Sequence, residues 1–168
     1  MFDYFKKNID IKIRYGPNVE FKPKYSTVGS TGLDIFAQDN ICIPSMNKQL
    51  IENIPHGGIH CFTQYTCHIR TGLFLSFPKG YDLQIRSRSS LASNYGLIIP
   101  NGVGTIDSDY RGELIVPLLN LGIEKVSICL GQKIAQLILV PSPRIRLIEV
   151  ENLDDTVRGE GGFGSTDK

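Results

Sequence analysis

Short apolar segments, separated by glycine and proline about every ten residues, constrain the fold of this chain more than any other feature. The first segment, "IDIKIRY", alternates so that Ile9, Ile11, Ile13 and Tyr15 share one face of a strand. Later segments include "GLFLSF", "YDLQIRS", "ELIVPLLNL" and "IAQLILV". Many short strands at this spacing predict an all-β barrel or sandwich. One stretch, "SSLASNYG" at residues 89–96, favours a short helix with serines that could cap it.

Charge and cysteine content argue against several classes of protein. The net charge is +1 and the pI about 7.7, so no strong field favours nucleic acid or an acidic membrane. No window approaches the roughly 18 apolar residues of a membrane span, and the N-terminus lacks the apolar core of a signal peptide. None of the four cysteines forms a CxxC pair, which indicates reduced thiols. We therefore expect a soluble cytoplasmic protein.

A change of composition near Val150 predicts two parts of the chain. Residues 1–150 carry the strand pattern and form one β domain, whereas residues 151–168 are polar and rich in glycine. We interpret the second part as a flexible arm. In most proteins such a terminus is disordered and has no function, and composition alone leaves that alternative open.

The end of the arm, "RGEGGFGSTDK", carries groups that suit a nucleotide. Its GxGxxG pattern is not a dinucleotide fingerprint, because only four residues follow Gly164 and no helix can form there. Glycines can still turn several backbone N–H groups toward one phosphate. Arg158, Ser165 and Thr166 add donors for phosphate oxygens, and Phe163 can stack on a base.

A second candidate anion site lies in "IRSRSSLA", residues 85–92. Arg86 and Arg88 stand among three serines, directly before the short helical stretch. Arginine, hydroxyl groups and the start of a helix together favour phosphate binding. The alternative is an ordinary helix cap with a surface arginine.

Acidic residues mark a third segment, "NGVGTIDSDYRG" at residues 101–112. We predict a hairpin whose tip carries Asp107, Asp109 and Tyr110. Aspartates in turns often serve the turn alone. Beside phosphates, however, a carboxylate can orient or deprotonate a water molecule.

Two polar residues stand inside otherwise apolar strands. Asp34 in "STGLDIFA" indicates either a metal-linked acid or a side chain that faces solvent. Gln136 in "GQKIAQLIL" needs hydrogen-bond partners if it is buried, and a phosphate or a water molecule would serve.

Taken in order, these five segments resemble the five motifs of the trimeric dUTP pyrophosphatase (dUTPase) family: "STGLDIFA", "RSRSSLA", "NGVGTIDSDYRG", "GQKIAQL" and "RGEGGFGST". The resemblance runs from about residue 10 to the end of the chain. It implies a jelly-roll-like β barrel that assembles as a homotrimer. It also implies active sites between subunits, each closed by the C-terminal arm of a neighbouring subunit.

The resemblance also implies an activity: hydrolysis of dUTP to dUMP and pyrophosphate with Mg²⁺ on the triphosphate. This reaction keeps uracil out of DNA and supplies dUMP for thymidylate synthesis. Asp107 matches the acid that activates water, Tyr110 the ring against the deoxyribose, and Asn101 the reader of the uracil edge. The other matches are Arg88, Ser89 and Ser90 on the phosphates, Gln136 near the α-phosphate, Asp34 reaching the metal through water, Phe163 over the uracil, and Arg158, Gly164, Ser165 and Thr166 on the β- and γ-phosphates.

Three departures from the family pattern stand out. Ser90 and Asp167 occupy positions where the family usually has glycine. The chain is also longer than usual between Asp34 and Thr71, which predicts an extra surface loop at about residues 47–62. This loop holds His56, His60 and Cys61, whose spacing fits a zinc site poorly. It would be the natural place for a protein partner.

Two alternative functions remain open from the sequence. A dCTP deaminase of the same fold would need a proton-shuttling glutamate downstream of its acid, where this chain has Pro117. A dUTPase-like protein that mainly binds a partner would not need Asp107, Tyr110, Arg158 and Phe163 to be intact.

Overall fold

The structure, a computed structural model, describes residues 8–45 and 66–162. Within these ranges it contains ten strands and one short helix, which confirms the all-β expectation. No helix in these ranges has the length and apolar character needed to span a membrane. The elements are β1 Lys12–Tyr15, β2 Leu33–Phe36, β3 Ile41–Ile43, β4 Thr66–Ser76, β5 Tyr81–Arg86, α1 Ser89–Tyr95, β6 Leu97–Ile98, β7 Val103–Ile106, β8 Glu113–Asn120, β9 Val126–Ile128 and β10 Lys133–Pro141.

The strands form two four-stranded sheets and one two-stranded ladder. The first sheet has the order β1-β4-β8-β6, the second β2-β10-β5-β7, and β3 pairs with β9. Within the described residues, each pair of neighbouring strands in these sheets is antiparallel. The arrangement is jelly-roll-like, with two sheets rather than one closed barrel.

Alternating side chains from both large sheets build one core. Along β4, Ile69, Leu73 and Leu75 are buried, and Leu83 and Ile85 on β5 belong to the same apolar cluster. Each such side chain stabilises the fold by about 1.5–3 kcal/mol through burial. The core thus fixes the register of β5, which ends at Arg86, the first residue of the second motif.

The short helix α1 begins without the predicted serine cap. Arg88 occupies the N-cap position in an extended conformation and makes no side-chain capping bond. The hydroxyl of Ser87 instead accepts the backbone N–H of Ile99 at 2.9 Å. The helix ends at Gly96, whose φ of 66° suits glycine and whose N–H donates to Ala92 O.

The predicted hairpin at residues 101–112 is wrong as a strand pairing. β7 pairs with β5 in one sheet, whereas β8 pairs with β4 and β6 in the other. Residues 107–112 therefore cross between the two sheets. The turn residues were recognised, but the partners of the flanking strands depend on long-range packing.

Beyond β10 the described chain, residues 142–162, contains no helix or strand and is largely exposed. Ile145, Leu147 and Leu153 are more than four-fifths exposed, with values of 83%, 87% and 88%. One backbone bond, from Ser142 N–H to Gly80 O at 2.8 Å, ties the start of this segment to the β domain. The division into a domain at 1–150 and an arm at 151–168 stays a prediction.

Candidate functional site

A buried carboxylate, that of Asp34, lies at the centre of the first polar cluster. Asp34, on β2, is 1% exposed and lies opposite Gln136 on β10. On the other side of β10, Gln136 lies opposite Arg86 on β5. Its Oδ1 accepts a hydrogen bond from the Arg88 guanidinium. Its Oδ2 accepts from Lys133 Nζ at 2.7 Å and from Ser26 Oγ at 2.5 Å. Three predicted site residues thus lie together.

The amide of Gln136 borders this cluster. Its Nε2 is 3.5 Å from Asp34 Oδ1, the outer limit of a hydrogen bond. A Cβ atom at Gly32 would come within 3.1 Å of the Gln136 Cβ atom and 3.3 Å of Ile138 Cγ1. Glycine at this position therefore allows β2 to lie close to β10 where Asp34 and Gln136 meet.

Two cations keep Asp34 ionised. Burial alone would raise the pKa of Asp34, but hydrogen bonds from Lys133 and Ser26, with the positive charges of Arg88 and Lys133, hold that pKa below its ordinary value. The cluster carries one negative and two positive charges. The side chains of Arg88 and Lys133 are 21% and 34% exposed, so both cations remain reachable by an anion from solvent.

The second motif also contains two exposed serines next to Arg88 in the chain. Ser89 and Ser90 are exposed at the first turn of α1, directly after Arg88. Arg86 is exposed as well, and its guanidinium donates to Gln84 Oε1 at 2.6 and 3.1 Å rather than joining Asp34. Arg88 is thus the member of this motif that contacts Asp34, and phosphate binding by Arg88, Ser89 and Ser90 stays a prediction.

Asp107 lies in a second polar region, in the turn that follows β7. It is exposed, and its backbone carbonyl accepts the N–H of Tyr110 at 3.1 Å. Arg111 closes the turn through bonds of 2.8 Å to the carbonyl oxygens of Ser108 and Tyr110. A cleft of about 280 Å³ beside it is also lined by Lys79, Tyr81, Asp82, Asp109 and Arg144.

The Tyr110 ring lies over Gly112, which leaves the space that the ring needs. Its hydroxyl donates to Glu113 O at 3.0 Å, and a Cβ atom at Gly112 would lie 2.3 Å from that hydroxyl oxygen. Only glycine fits under the ring without a shift of the ring or the backbone. Tyr110 nevertheless remains 44% exposed, so one side of the ring is open to a ligand.

Asn101 lies at the other end of β7 from Asp107. It is exposed, and its carbonyl accepts the N–H of Val103 at 2.8 Å. The following Gly102 has a φ of 73°, which glycine adopts readily. The tight turn therefore directs the chain from β6 into β7 with Asn101 at its surface.

The register of β5 and β7 separates Asp107 from the Asp34 cluster. Leu83 is paired with Ile106 and Arg86 with Val103, so Asp107 and Arg88 lie beyond opposite ends of this ladder. When the spacing of the ladder is continued past its ends to Arg88 and Asp107, their levels are six residues apart, which corresponds to about 20 Å at the usual rise per residue. One protomer thus does not bring Asp107 together with Arg88.

The arm is described only in part. Arg158 Nε donates to Gly161 O at 2.7 Å, and Thr156 Oγ1 accepts the N–H of Gly159 at 3.1 Å. Phe163, Gly164, Ser165 and Thr166 lie outside the described residues. The same holds for the loop residues His56, His60 and Cys61, so a zinc site or a protein partner there stays a prediction.

Sequence reasoning missed Ser26 and Lys133. Simple alternation from Gln136 places Ile134, not Lys133, on the same face of β10. A register shift between Lys133 and Ala135 breaks the alternation and turns Lys133 toward Asp34. Ser26 lies in an irregular segment before β2, where no periodic pattern reports its direction.

Comparisons with known proteins agree with this fold and these motifs. The dUTPase family model matches residues 58–167. The chain is 41% identical to the deoxyuridine 5'-triphosphate nucleotidohydrolase of Finegoldia magna, over 86% of this chain and 90% of that protein. It is 38% identical to the enzyme of that name from Zymomonas mobilis, over 96% and 98%.

Solved structures show the same fold. A mutant dUTPase of Staphylococcus bacteriophage 80alpha, with dUpNHpp, superposes with a TM-score of 0.75 at 22% identity, covering 94% of this chain and 98% of the phage chain. A dUTPase variant from phage phi11 of S. aureus, solved to show a structural Mg(II) ion, has a TM-score of 0.70 at 22% identity, covering 87% and 99%. The jelly-roll-like expectation is thereby confirmed. Together with the family model and the curated relatives, these findings show that the chain belongs to the dUTPase family.

Proposed function

We propose that the protein hydrolyses dUTP to dUMP and pyrophosphate. The observation that carries the proposal is the meeting of Asp34, Arg88 and Gln136, which come from three separate family motifs, in one polar cluster. The cluster has two cations for one buried anion. An excess of positive charge at a surface of β strands suits a triphosphate.

The triphosphate would bind along the second motif. Arg88 presents a planar guanidinium, and Ser89 and Ser90 add exposed hydroxyl donors at the start of α1. Phosphoryl transfer depends mainly on positioning and charge neutralisation, which these groups supply without a strong base. Gln136, at the edge of the cluster, would bind near the α-phosphate.

The water-activating acid would come from a second subunit. Asp107 lies about 20 Å along the sheet from the level of Arg88 in the same protomer, which is too far for a shared phosphate. In a homotrimer, Asp107 of one subunit can approach Arg88 of its neighbour. Asp107 would then orient water toward the α-phosphorus, while Asn101 reads the uracil edge.

The arm would act as a lid contributed by a neighbouring subunit. Arg158 is exposed and would reach the β- and γ-phosphates together with Gly164, Ser165 and Thr166. Phe163 would cover the uracil ring. Closure of the arm would exclude water other than the attacking molecule and strengthen each charged contact.

Mg²⁺ would enter with the triphosphate and lower its charge. Across residues 8–45 and 66–162, no three His, Cys, Asp or Glu side chains come together to hold a metal ion. Mg²⁺ commonly binds through substrate phosphates and few carboxylates. Asp34, predicted to reach this metal through water, has a carboxylate that already accepts hydrogen bonds from Arg88, Lys133 and Ser26.

We expect Tyr110→Ala to relax selection against ribonucleotides. The half-exposed ring, fixed over Gly112, would lie against the deoxyribose and leave no space for a 2′-hydroxyl. Its removal should raise the ratio of kcat/KM for UTP to that for dUTP by about 10–100-fold. Steady-state kinetics with both nucleotides measure this ratio, and an unchanged ratio would remove Tyr110 from its assigned place.

Product analysis tests the proposed function itself. Purified protein incubated with dUTP and Mg²⁺ should release dUMP and pyrophosphate in equal amounts, without ammonia. Ammonia released from dCTP would instead indicate a deaminase, and no consumption of either nucleotide would leave a binding role. We expect the enzyme to act in the cytoplasm, where it would limit dUTP and supply dUMP.

A further inference from the structure

The contacts of Asp34 disagree with the metal role that its motif implies. The carboxylate is 2% exposed, and both of its oxygens already accept hydrogen bonds from charged or hydroxyl donors. The 2% exposure of this side chain leaves almost no open surface for a water molecule that would bridge to Mg²⁺. Such a water molecule would also compete with the donors that compensate a buried charge.

The partners of Asp34 are the groups that face an incoming anion. Within the described residues the Arg88 guanidinium donates to no protein group other than Asp34. Lys133 Nζ donates to Ser26 Oγ at 2.5 Å and lies 2.7 Å from Asp34 Oδ2. The carboxylate therefore fixes two long side chains that would otherwise sample many rotamers at a cost in binding entropy.

We infer that Asp34 is a positioning residue, which acts on the substrate phosphates through Arg88 and Lys133 and not through the metal. Lys133 becomes the second cation of the phosphate site, and Ser26 is the hydroxyl that helps hold Asp34 in place. The inference rests on the proposed function, since it names how this site receives a triphosphate.

The test measures binding of the imido analogue of dUTP, in which nitrogen bridges two phosphates, by titration calorimetry with Mg²⁺ and with EDTA. Asp34→Asn should weaken binding by about tenfold or more under both conditions, because the two cations lose their shared anchor. In wild-type protein and in the variant, the Mg²⁺ concentration that gives half-maximal hydrolysis should be the same. A rise of that concentration in Asp34→Asn, with analogue affinity in EDTA unchanged, would overturn the inference.

A double-mutant cycle separates positioning from a general structural effect. Once Arg88 is replaced in Arg88→Met, adding Asp34→Asn should cause a much smaller further loss of analogue affinity than it does in wild-type protein. Fully additive losses would contradict a role through Arg88. Ser26→Ala removes the hydroxyl that donates to Asp34 and accepts from Lys133 but leaves all three charges in place. It covers the case in which Asp34→Asn fails to fold, and should weaken the analogue severalfold with the same Mg²⁺ midpoint.

Lys133→Met tests the second cation against a matched control. It should weaken analogue binding and reduce the dependence of affinity on salt, since one phosphate contact is lost. Lys24→Met removes an equal charge close by, but the Lys24 ammonium lies 5.7 Å from the Phe36 ring rather than on Asp34. Equal effects of the two substitutions would overturn the role of Lys133. Failure of the proposed function would show differently, as absence of dUTP hydrolysis in wild-type protein.

Discussion

Asp107→Asn is expected to lower kcat for dUTP hydrolysis by about 10²- to 10⁴-fold, the usual contribution of a positioned acid or base. Asparagine has the same shape, and the turn is held by the backbone of Asp107 and by Arg111, so the fold should be unchanged. The amide cannot take a proton from the attacking water. Pyrophosphate release measures turnover, and analogue binding should stay within a fewfold of wild type.

Asp109→Asn is the matched control for this experiment. Asp109 lies in the same turn, is exposed and borders the same cleft, but it does not match the water-activating position of the family motif. We expect this variant to keep most of its activity. Wild-type turnover in Asp107→Asn, or an equal loss in both variants, would refute the role assigned to Asp107.

Truncation after Val157 is expected to abolish turnover while the oligomer persists. It removes Arg158 and all of the glycine-rich segment but leaves every strand of the two sheets intact. The triphosphate then loses an arginine, several backbone donors and the cover that excludes water, which together are worth at least about 10²-fold. Sedimentation or light scattering checks assembly, and pyrophosphate release checks activity.

A shorter truncation controls for the loss of chain length. Removal of Asp167 and Lys168 alone leaves Arg158, Phe163, Ser165 and Thr166 in place and should preserve most activity. If the truncation after Val157 remained active, the lid would have no catalytic role. If it became monomeric, the arm would serve assembly instead.

Much of this fold could be predicted because the strands carry local signals. Alternation and apolar runs identified most strands, and the short helix predicted at residues 89–96 corresponds to α1. The serine cap was wrong because the helix begins at Ser89, so Arg88 and not a serine occupies the N-cap position. The hairpin was wrong because the partners of β7 and β8 are set by long-range packing in the core.

The sequence motifs predicted the identity of several site residues, but not the positions of residues that depend on packing. Asp34, Arg88 and Gln136 were named from separate segments, and the structure brings them together. Lys133 was missed because a bulge in β10 reverses its direction, and alternation cannot report a bulge. The separation of Asp107 from Arg88 follows from the register between β5 and β7, which the sequence does not display.

Subunit complementation tests the central claim most directly, namely that Asp107 and Arg88 act in one site but come from different subunits. Asp107→Asn and Arg88→Met would carry different affinity tags and be co-expressed, so that mixed oligomers can be purified through both tags. Each variant alone should be nearly inactive. In a cyclic trimer that contains both variants, one of the three sites combines an intact Asp107 with an intact Arg88, about a third of all sites.

The account predicts that the mixed oligomers recover roughly a third of wild-type pyrophosphate release per subunit, as expected for sites shared between the subunits of a ring. Activity no greater than the sum of the two separate variants would contradict it, because both residues would then have to come from the same chain.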